Sequence, residues 1–575
     1  MSGRSLWGRW KRVKQIFGSA GSVCRVDDRV TGASSTLLGA DSSWNGLQIL
    51  NPSGPVAING ATTLNLGGGG IDMSAASQNL TLNHNVSLNS TQSWDVANSL
   101  TLAVNGAITG GGDLSKDGAG TLLLGGMDSF VGNLNVNAGI LAPANGNAIP
   151  DTCTVTLANT AGALLRLDAS ETIGALAGGG SLGGWVNLAA NTLTLGGNNA
   201  STTFSGQPSG TGSLVKNGIG TIILTASNSF AGPWHIHGGI VRIQDGNALG
   251  QGGFSASTWT LVGNNAAAEI NGSLSVGEHM HILGRGPDNQ GALRSVRGNS
   301  SLNQHIALDG DSSVGVSAGA ALVQNLQFYN GVGPCTLTKI GVGSLTVNSY
   351  VYPNVVVVEG QFVNNGNLQG SAVVTNSGTL SGIGVINGPL SVTSGGTLAP
   401  DHEIGVLTVN NSVSLAGACA LAIQTTGGGT TNSQRVSTTA LSYGGALVVT
   451  NLGGTLAAGD SFRLFNASSY SGHFASMSMP ALAPGLYWDT SQLPVNGSVR
   501  VAALPALSVS LNGSWLNLLW PTGYMGWLLE SQTNSSNVGL STNWTIVPGL
   551  ASNGETFPIG LTNGSVFFRL ILPAP

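Results

Sequence analysis

Charge is what this sequence has least of. Only 7% of its 575 residues are Asp, Glu, Lys or Arg, against about 25% in an ordinary soluble protein. Past residue 17 there is no basic stripe or patch, which argues against nucleic acid as a partner, because binding it depends on neutralising phosphates. The net charge of −5 is spread too thinly to make a strong field. Long apolar runs are missing as well. Even in the uncharged stretch 361–400, Asn, Ser, Thr and Gly interrupt every apolar run, so nothing reads as the roughly 20-residue span a membrane helix needs. The four cysteines, Cys24, Cys153, Cys335 and Cys419, stand far apart without CxxC spacing, which argues against a structural zinc or dithiol site. Cys153, Cys335 and Cys419 fall in phase with apolar neighbours at period two, as buried thiols acting as small hydrophobes do. There is no phosphate-binding Walker loop and no HExxH pair.

What remains is 41% hydrophobic, with 89 glycines. That hydrophobic share is too high for a disordered chain. The surface must therefore be covered by Gly, Ser, Thr and Asn. From about residue 35 the pattern is short and alternating: TTLNL, QNLTLNHNVSL, NSLTLAV, GTLLL, GNLNVNAGIL. Alternation over a few residues predicts half-buried strands, with Gly, Asn or Ser at the turns.

One stretch recurs. Gly112 to Ala142 returns, shifted by 100 residues without a gap, as Gly212 to Arg242, with 12 of 31 positions identical. A shortened third copy begins at Thr336, giving copies near 112–142, 212–242 and 336–364. Each copy is too thin and too polar to bury a core alone, so neighbouring copies must stack, as in a solenoid. The predicted fold is all-β: a long right-handed parallel β-helix over residues 31–500, with apolar alternates inward and Gly at the corners. At about 20 residues per coil the array would hold roughly 23 coils. Lys116, Lys216 and Lys339 recur at one register and read as exposed charges that discourage edge pairing.

Residues 1–30 form a basic N-terminal segment. Arg4, Arg9, Lys11, Arg12 and Lys14 alternate with Leu6, Trp7, Trp10 and Val13. The readings left open are a mis-assigned start that removed an export signal, a frayed helix, and a helix lying on a membrane surface. Residues 505–575 change character again. Trp515, Trp520, Trp527 and Trp544 predict a small Trp-rich antiparallel β module, serving as a cap or attachment unit or presenting a carbohydrate-binding face.

The segments KDGAGTLLLGG, KNGIGTIILTASNSFAG and SGTLSGIGVINGPLSVTSGGTLAPDHEIGVLTV resemble the passenger-associated β-strand repeats of autotransporter-type surface proteins of Gram-negative bacteria. The C-terminal module, with FFRLILPAP at its end, is similar to one on repeat proteins of planctomycete- and verrucomicrobia-type bacteria. The resemblance covers nearly everything from 44 to 500 and implies an exported solenoid with an adhesin or surface-coat role, outside the cell or on its outer surface. A typical member ends in a membrane barrel of ~10-residue alternating segments. The last 70 residues leave no room for one, so the expectation is a passenger without a translocator of its own.

Candidate chemistry is sparse. His235 and His237 lie at i and i+2 with Trp234 and Ile236 inward, and Glu278-His279-Met280-His281 repeats that pattern about two coils later. Together they are the best candidate for a four-histidine zinc or copper site, weighed against outward histidines that merely replace asparagines. Asp401-His402-Glu403 pairs an imidazole with carboxylates but sits in a turn. Asp309-Gly310-Asp311 offers two oxygens to calcium without the further ligands it needs. Arg285, Arg294 and Arg297 near Asp288 are the only basic cluster of the kind a polysaccharide lyase on this fold would use. The expectation is therefore no catalysis and no cofactor, with surface glycans or other cell-surface components as partners and a monomer or lateral self-association. The alternative is a carbohydrate-active or carbohydrate-binding β-helix.

Overall fold

A computed structural model describes residues 21–28, 32–251, 255, 258–400, 404–426, 430–522, 527–548, 554–560 and 564–571. The basic segment up to residue 20 and the Asp401-His402-Glu403 triplet lie outside the described residues. The chain forms two compact units. The first comprises Met1–Leu421, Gln434–Val448 and Phe465–Ser478, and the second Ala422–Ser433, Val449–Leu464 and Met479–Pro575.

The first unit is a parallel β-solenoid. Each short strand pairs with a strand of the coil before it and one of the coil after it, in register. Thr121–Leu124, for example, lies between Thr101–Val104 and Ile140–Pro143. Stacking converts the alternating pattern into columns. Leu80, Leu102, Leu122, Leu141, Leu165 and Val186 follow one another through successive coils, and all are buried. Cys153, Cys335 and Cys419 occupy such inward positions as free thiols, and burial raises the pKa of each. Cys24 is half-buried.

The coils are unequal. Asn354 and its partner Ser371 are 17 residues apart, whereas Ser471 reaches back 30 residues to Leu441. The uniform 20-residue coil is thus replaced by a variable one, because corners absorb insertions while the strands between them keep register. Among the described residues helix is confined to Leu493–Asn496.

The recurring lysines correct the sequence expectation. Lys116, Lys216 and Lys339 are 0, 2 and 0% exposed. Each points inward, in phase with Leu114, Leu214 and Leu337. Lys116 Nζ donates to the carbonyls of Asp117 (2.7 Å), Gly118 (2.7 Å) and, from the following coil, Ala138 (3.1 Å). Lys216 does the same with Asn217, Gly218 and Gly238, and Lys339 with Ile340, Gly341 and Glu359. The three donors of one ammonium thus satisfy carbonyls from two adjacent coils at a corner.

Glycine makes this corner possible. Gly118 has φ +71°, and a Cβ there would lie 2.3 Å from the Val96 carbonyl oxygen. Gly139, on the following coil, has φ +68° and equally little room. Burial lowers the three amines from their ordinary pKa to about 8, so they remain protonated donors at neutral pH.

In the second unit strands pair antiparallel. Ser461–Arg463, Ser498–Ala503 and Leu486–Asp489 make one sheet, so antiparallel pairing begins before residue 500. Apolar alternation is the same in both kinds of strand, which is why the sequence does not mark that change. Two further three-stranded sheets are Ser508–Asn512, Trp515–Leu519 and Gly554–Pro558, and Leu528–Asn534, Thr545–Ile546 and Ser565–Ile571. They enclose a core of Leu518, Trp520 and Leu529, with Phe557 and Phe568 against it. Trp527 is buried too, but Trp515 is exposed, and Trp544 carries the Arg569 guanidinium over its ring at 4.2 Å.

Removing the amine from the corner should cost more than removing an outward polar group. Lys116→Met is expected to destabilise the solenoid by about 2–3 kcal/mol, since buried carbonyls lose charged donors. The neighbouring outward Ser115→Ala should stay within about 0.5 kcal/mol. Urea unfolding followed by circular dichroism compares the two, and equal midpoints would contradict the assigned role of the amine.

Candidate functional site

The outer face of the solenoid carries two kinds of ladder. The first is made of amides. Asn105 donates to Asn83 and Asn83 to Asn59, at 2.7 Å each. Farther along, Asn348 donates to Asn325 (3.0 Å) and Asn325 to Asn303 (2.7 Å). Stacking holds identical side chains one coil apart, so each amide is donor to one neighbour and acceptor from the other.

The second ladder is aromatic. Pairing of Thr260 with Met280, of Met280 with Ile306 and of Ile306 with Phe328 sets the flanking outward residues over one another. Trp259, His279, His281, His305 and Tyr329 thereby form one continuous strip. The Trp259 ring lies 3.9 Å from that of His281 and stacks on His279 at 5.4 Å, between centroids. His279 and His305 are 6.3 Å apart, as are His305 and Tyr329. The Tyr329 hydroxyl is 3.0 Å from His279 Nε2, and His281 Nδ1 is 2.9 Å from Asp309 Oδ1. Phe328 pairs in turn with Val351, whose neighbours Tyr350 and Tyr352 stack at 5.9 Å with 21° between ring planes. A cavity of about 410 Å³ opens beside them, lined by His305, Gln327, Tyr329, Asn330 and Tyr352.

Desolvation, then the neighbouring imidazoles of His281 and His305, lowers the pKa of His279 to about 4. Desolvation also lowers that of His305. Glu278, behind the strip, hydrogen-bonds Thr260 Oγ1 at 2.7 Å, and burial raises its carboxyl to about 8. Burial thus favours the neutral imidazole at His279 and His305 and the protonated carboxyl at Glu278.

The histidine candidates do not converge. Trp234 and Ile236 point inward and His235 and His237 outward, the latter two with ring centroids 6.0 Å apart. His235 pairs with Leu261, and Leu261 with His281, so a leucine coil separates the two histidine pairs. Among the described residues no group of three or more His, Cys, Asp or Glu side chains is placed to hold a metal ion. Asp309 engages His281, and Asp311 accepts the backbone N–H of Thr336 at 2.8 Å, so both are already used within the protein.

The arginine cluster is dispersed as well. Arg285 and Arg297 are exposed, whereas Arg294 is buried and pairs with Asp288 and with Glu269. Glu269 in turn holds Arg242 from the preceding coil. Glu269 and Arg242 are remote in sequence from Arg294, and only coil stacking brings the four groups together as an internal ion network. The aromatic strip was likewise not anticipated. Its signal was the spacing of Trp259, His279, His305 and Tyr329 at roughly one coil, readable only with the coil lengths known.

Comparison with known proteins adds to this geometry. The profile of the passenger-associated transport repeat matches residues 114–142 and 214–243. The chain carries two passenger-associated transport repeats. Both contain the caged lysine, and the corner at Lys339 reproduces the cage outside the matched residues. The chain is also similar to the Adhesin BmaC autotransporter of Brucella suis biovar 1 (strain 1330), 33% identical over 265 residues. That match covers 42% of this chain but 8% of the relative's length. Among the described residues no helix is long and apolar enough to cross a membrane.

The strip should respond to acid. An unfolded imidazole takes up its proton near pH 6.5, whereas His279 in the solenoid does so only near pH 4. Between these values the unfolded chain binds the extra proton, so acidification through this window favours unfolding. His279→Gln removes that contribution. Its melting temperature should fall less between pH 6.5 and 4 than that of the wild type, whatever its value at pH 7, and parallel curves would contradict the assignment.

Proposed function

We propose that this chain is a non-enzymatic passenger segment, secreted or held at the cell surface, that acts in adhesion. The observation that carries the reading is the solenoid itself. Passenger-associated repeats stack into a scaffold whose outer face repeats the same amide and aromatic groups at one-coil intervals. Such a surface makes many weak contacts at once, and linked weak contacts add through effective concentration. The caged lysines fit the same role, because they hold the corners between coils against local opening. Similarity to a protein named as an autotransporter adhesin supports the reading. The ion network of Arg242, Glu269, Asp288 and Arg294 serves here as internal bracing, with its charges already paired, in place of the lyase chemistry its sequence cluster evoked.

Adhesion is testable with the purified chain. Beads coated with it should attach to cultured epithelial cells or to glycan-coated surfaces several-fold more than beads coated with albumin. They should do so without changing soluble polysaccharide, followed as reducing ends released. Attachment no greater than albumin's would refute the adhesive role, and released sugar would refute the non-enzymatic one.

A further inference from the structure

The cavity beside Tyr352 has a chemistry that adhesion in general does not specify. Assigning it a ligand class deepens the adhesive reading and rests on it. We propose that Tyr350, Tyr352 and the open cavity beside Tyr352 form a subsite for the pyranose rings of a neutral polysaccharide. Tyr350 and Tyr352 are 43 and 42% exposed, on one outer strand face and with nearly parallel rings. Two exposed, co-oriented aromatic rings offer a flat apolar platform with polar tips. A pyranose has the matching shape: its C–H faces are apolar and its hydroxyls point outward from the rim.

The cavity supplies partners for those hydroxyls. Gln327 and Asn330 contribute amides that both donate and accept, and the imidazole of His305 and the phenol of Tyr329 complete its lining. About 410 Å³ is within the range of small-molecule sites, which combine an apolar wall with a few placed polar groups.

The charge pattern selects the neutral class. No Lys or Arg lines the cavity, and desolvation keeps His305 below its ordinary pKa. An anionic sugar would find no Lys or Arg among these lining residues.

The test is titration of the full chain with cellohexaose, maltohexaose and chitohexaose, and with oligogalacturonate as the anionic control, followed by calorimetry. At least one neutral sugar is expected to bind at millimolar concentration and more tightly than oligogalacturonate. Tyr352→Ala should weaken it about tenfold, which is about 1.4 kcal/mol, and Gln327→Ala should weaken it to a smaller degree. Tyr350→Phe, which keeps the ring, should change it little. Tyr352 is half exposed on the surface, so loss of fold is not expected from its removal, and circular dichroism checks this. Binding of none of the neutral sugars, stronger binding of oligogalacturonate, or binding unaffected by Tyr352→Ala would each overturn the subsite. If coated beads still attach to cells in those cases, the subsite alone has failed. If neutral sugars bind as expected but beads do not attach, the adhesive role has failed and the subsite stands.

Discussion

A strand of this solenoid has no partner within its own coil. Its N–H and C=O groups are met only by the coil before and the coil after, and its inward side chains are covered only by the same two neighbours. Coils therefore stabilise one another as neighbours in a row, and the weakest place is the corner, where ladder hydrogen bonding stops and carbonyls turn away from their partners. An unpaired buried carbonyl is costly. The chain meets that cost at its repeats with a lysine whose ammonium bonds three carbonyls drawn from two coils. The flanking glycines are bound to the same arrangement, because the carbonyls can converge only where the backbone takes a positive φ and the next coil approaches too closely for a Cβ.

The scarcity of charge follows from the same stacking. A charged residue repeated at one-coil intervals would put like charges about 4.7–4.9 Å apart along the stack, whereas Asn, Ser and Thr can hydrogen-bond to copies of themselves. The asparagine ladders do so. Some of the charges that are kept are compensated locally, as in the pairing of Arg294 with Glu269 and Asp288. Asp72, Asp95 and Asp117 instead stack in one column, and burial, followed by the charges of its two neighbours, raises the Asp95 carboxyl above its ordinary pKa. The outer face consequently carries few charges, and most of its chemistry consists of amides, hydroxyls and ring faces.

Much of this was legible in the residues. Leu114, Leu122 and Leu134 point inward as their alternation predicts, and Trp234 and Ile236 do so with His235 and His237 outward. Lys116 was misread although its position carried the correction: it shares the phase of Leu114, and its partners in the following coils are Val136 and then Leu157. General expectation for a lysine outweighed phase, since a buried lysine is rare unless paired. The partner here is backbone, which no side-chain pattern reveals. The aromatic strip was hidden for another reason. Its members are spaced by coils of unequal length, so their alignment needs the register of every intervening strand.

The sequence alone therefore determined that the chain is all-β, that its repeats stack, and which face most strand residues present, because alternation and recurrence are local properties. Only the tertiary structure decided which residues of different coils meet. It separated the two histidine pairs by the Leu261 coil, joined Trp259 to His281 and His279 to Tyr329, and turned the recurring lysine of the repeat from a surface charge into the clasp of its corner. The physical reason is that face is set by the two-residue period of a strand, whereas neighbourhood across coils is set by how many residues each corner absorbs.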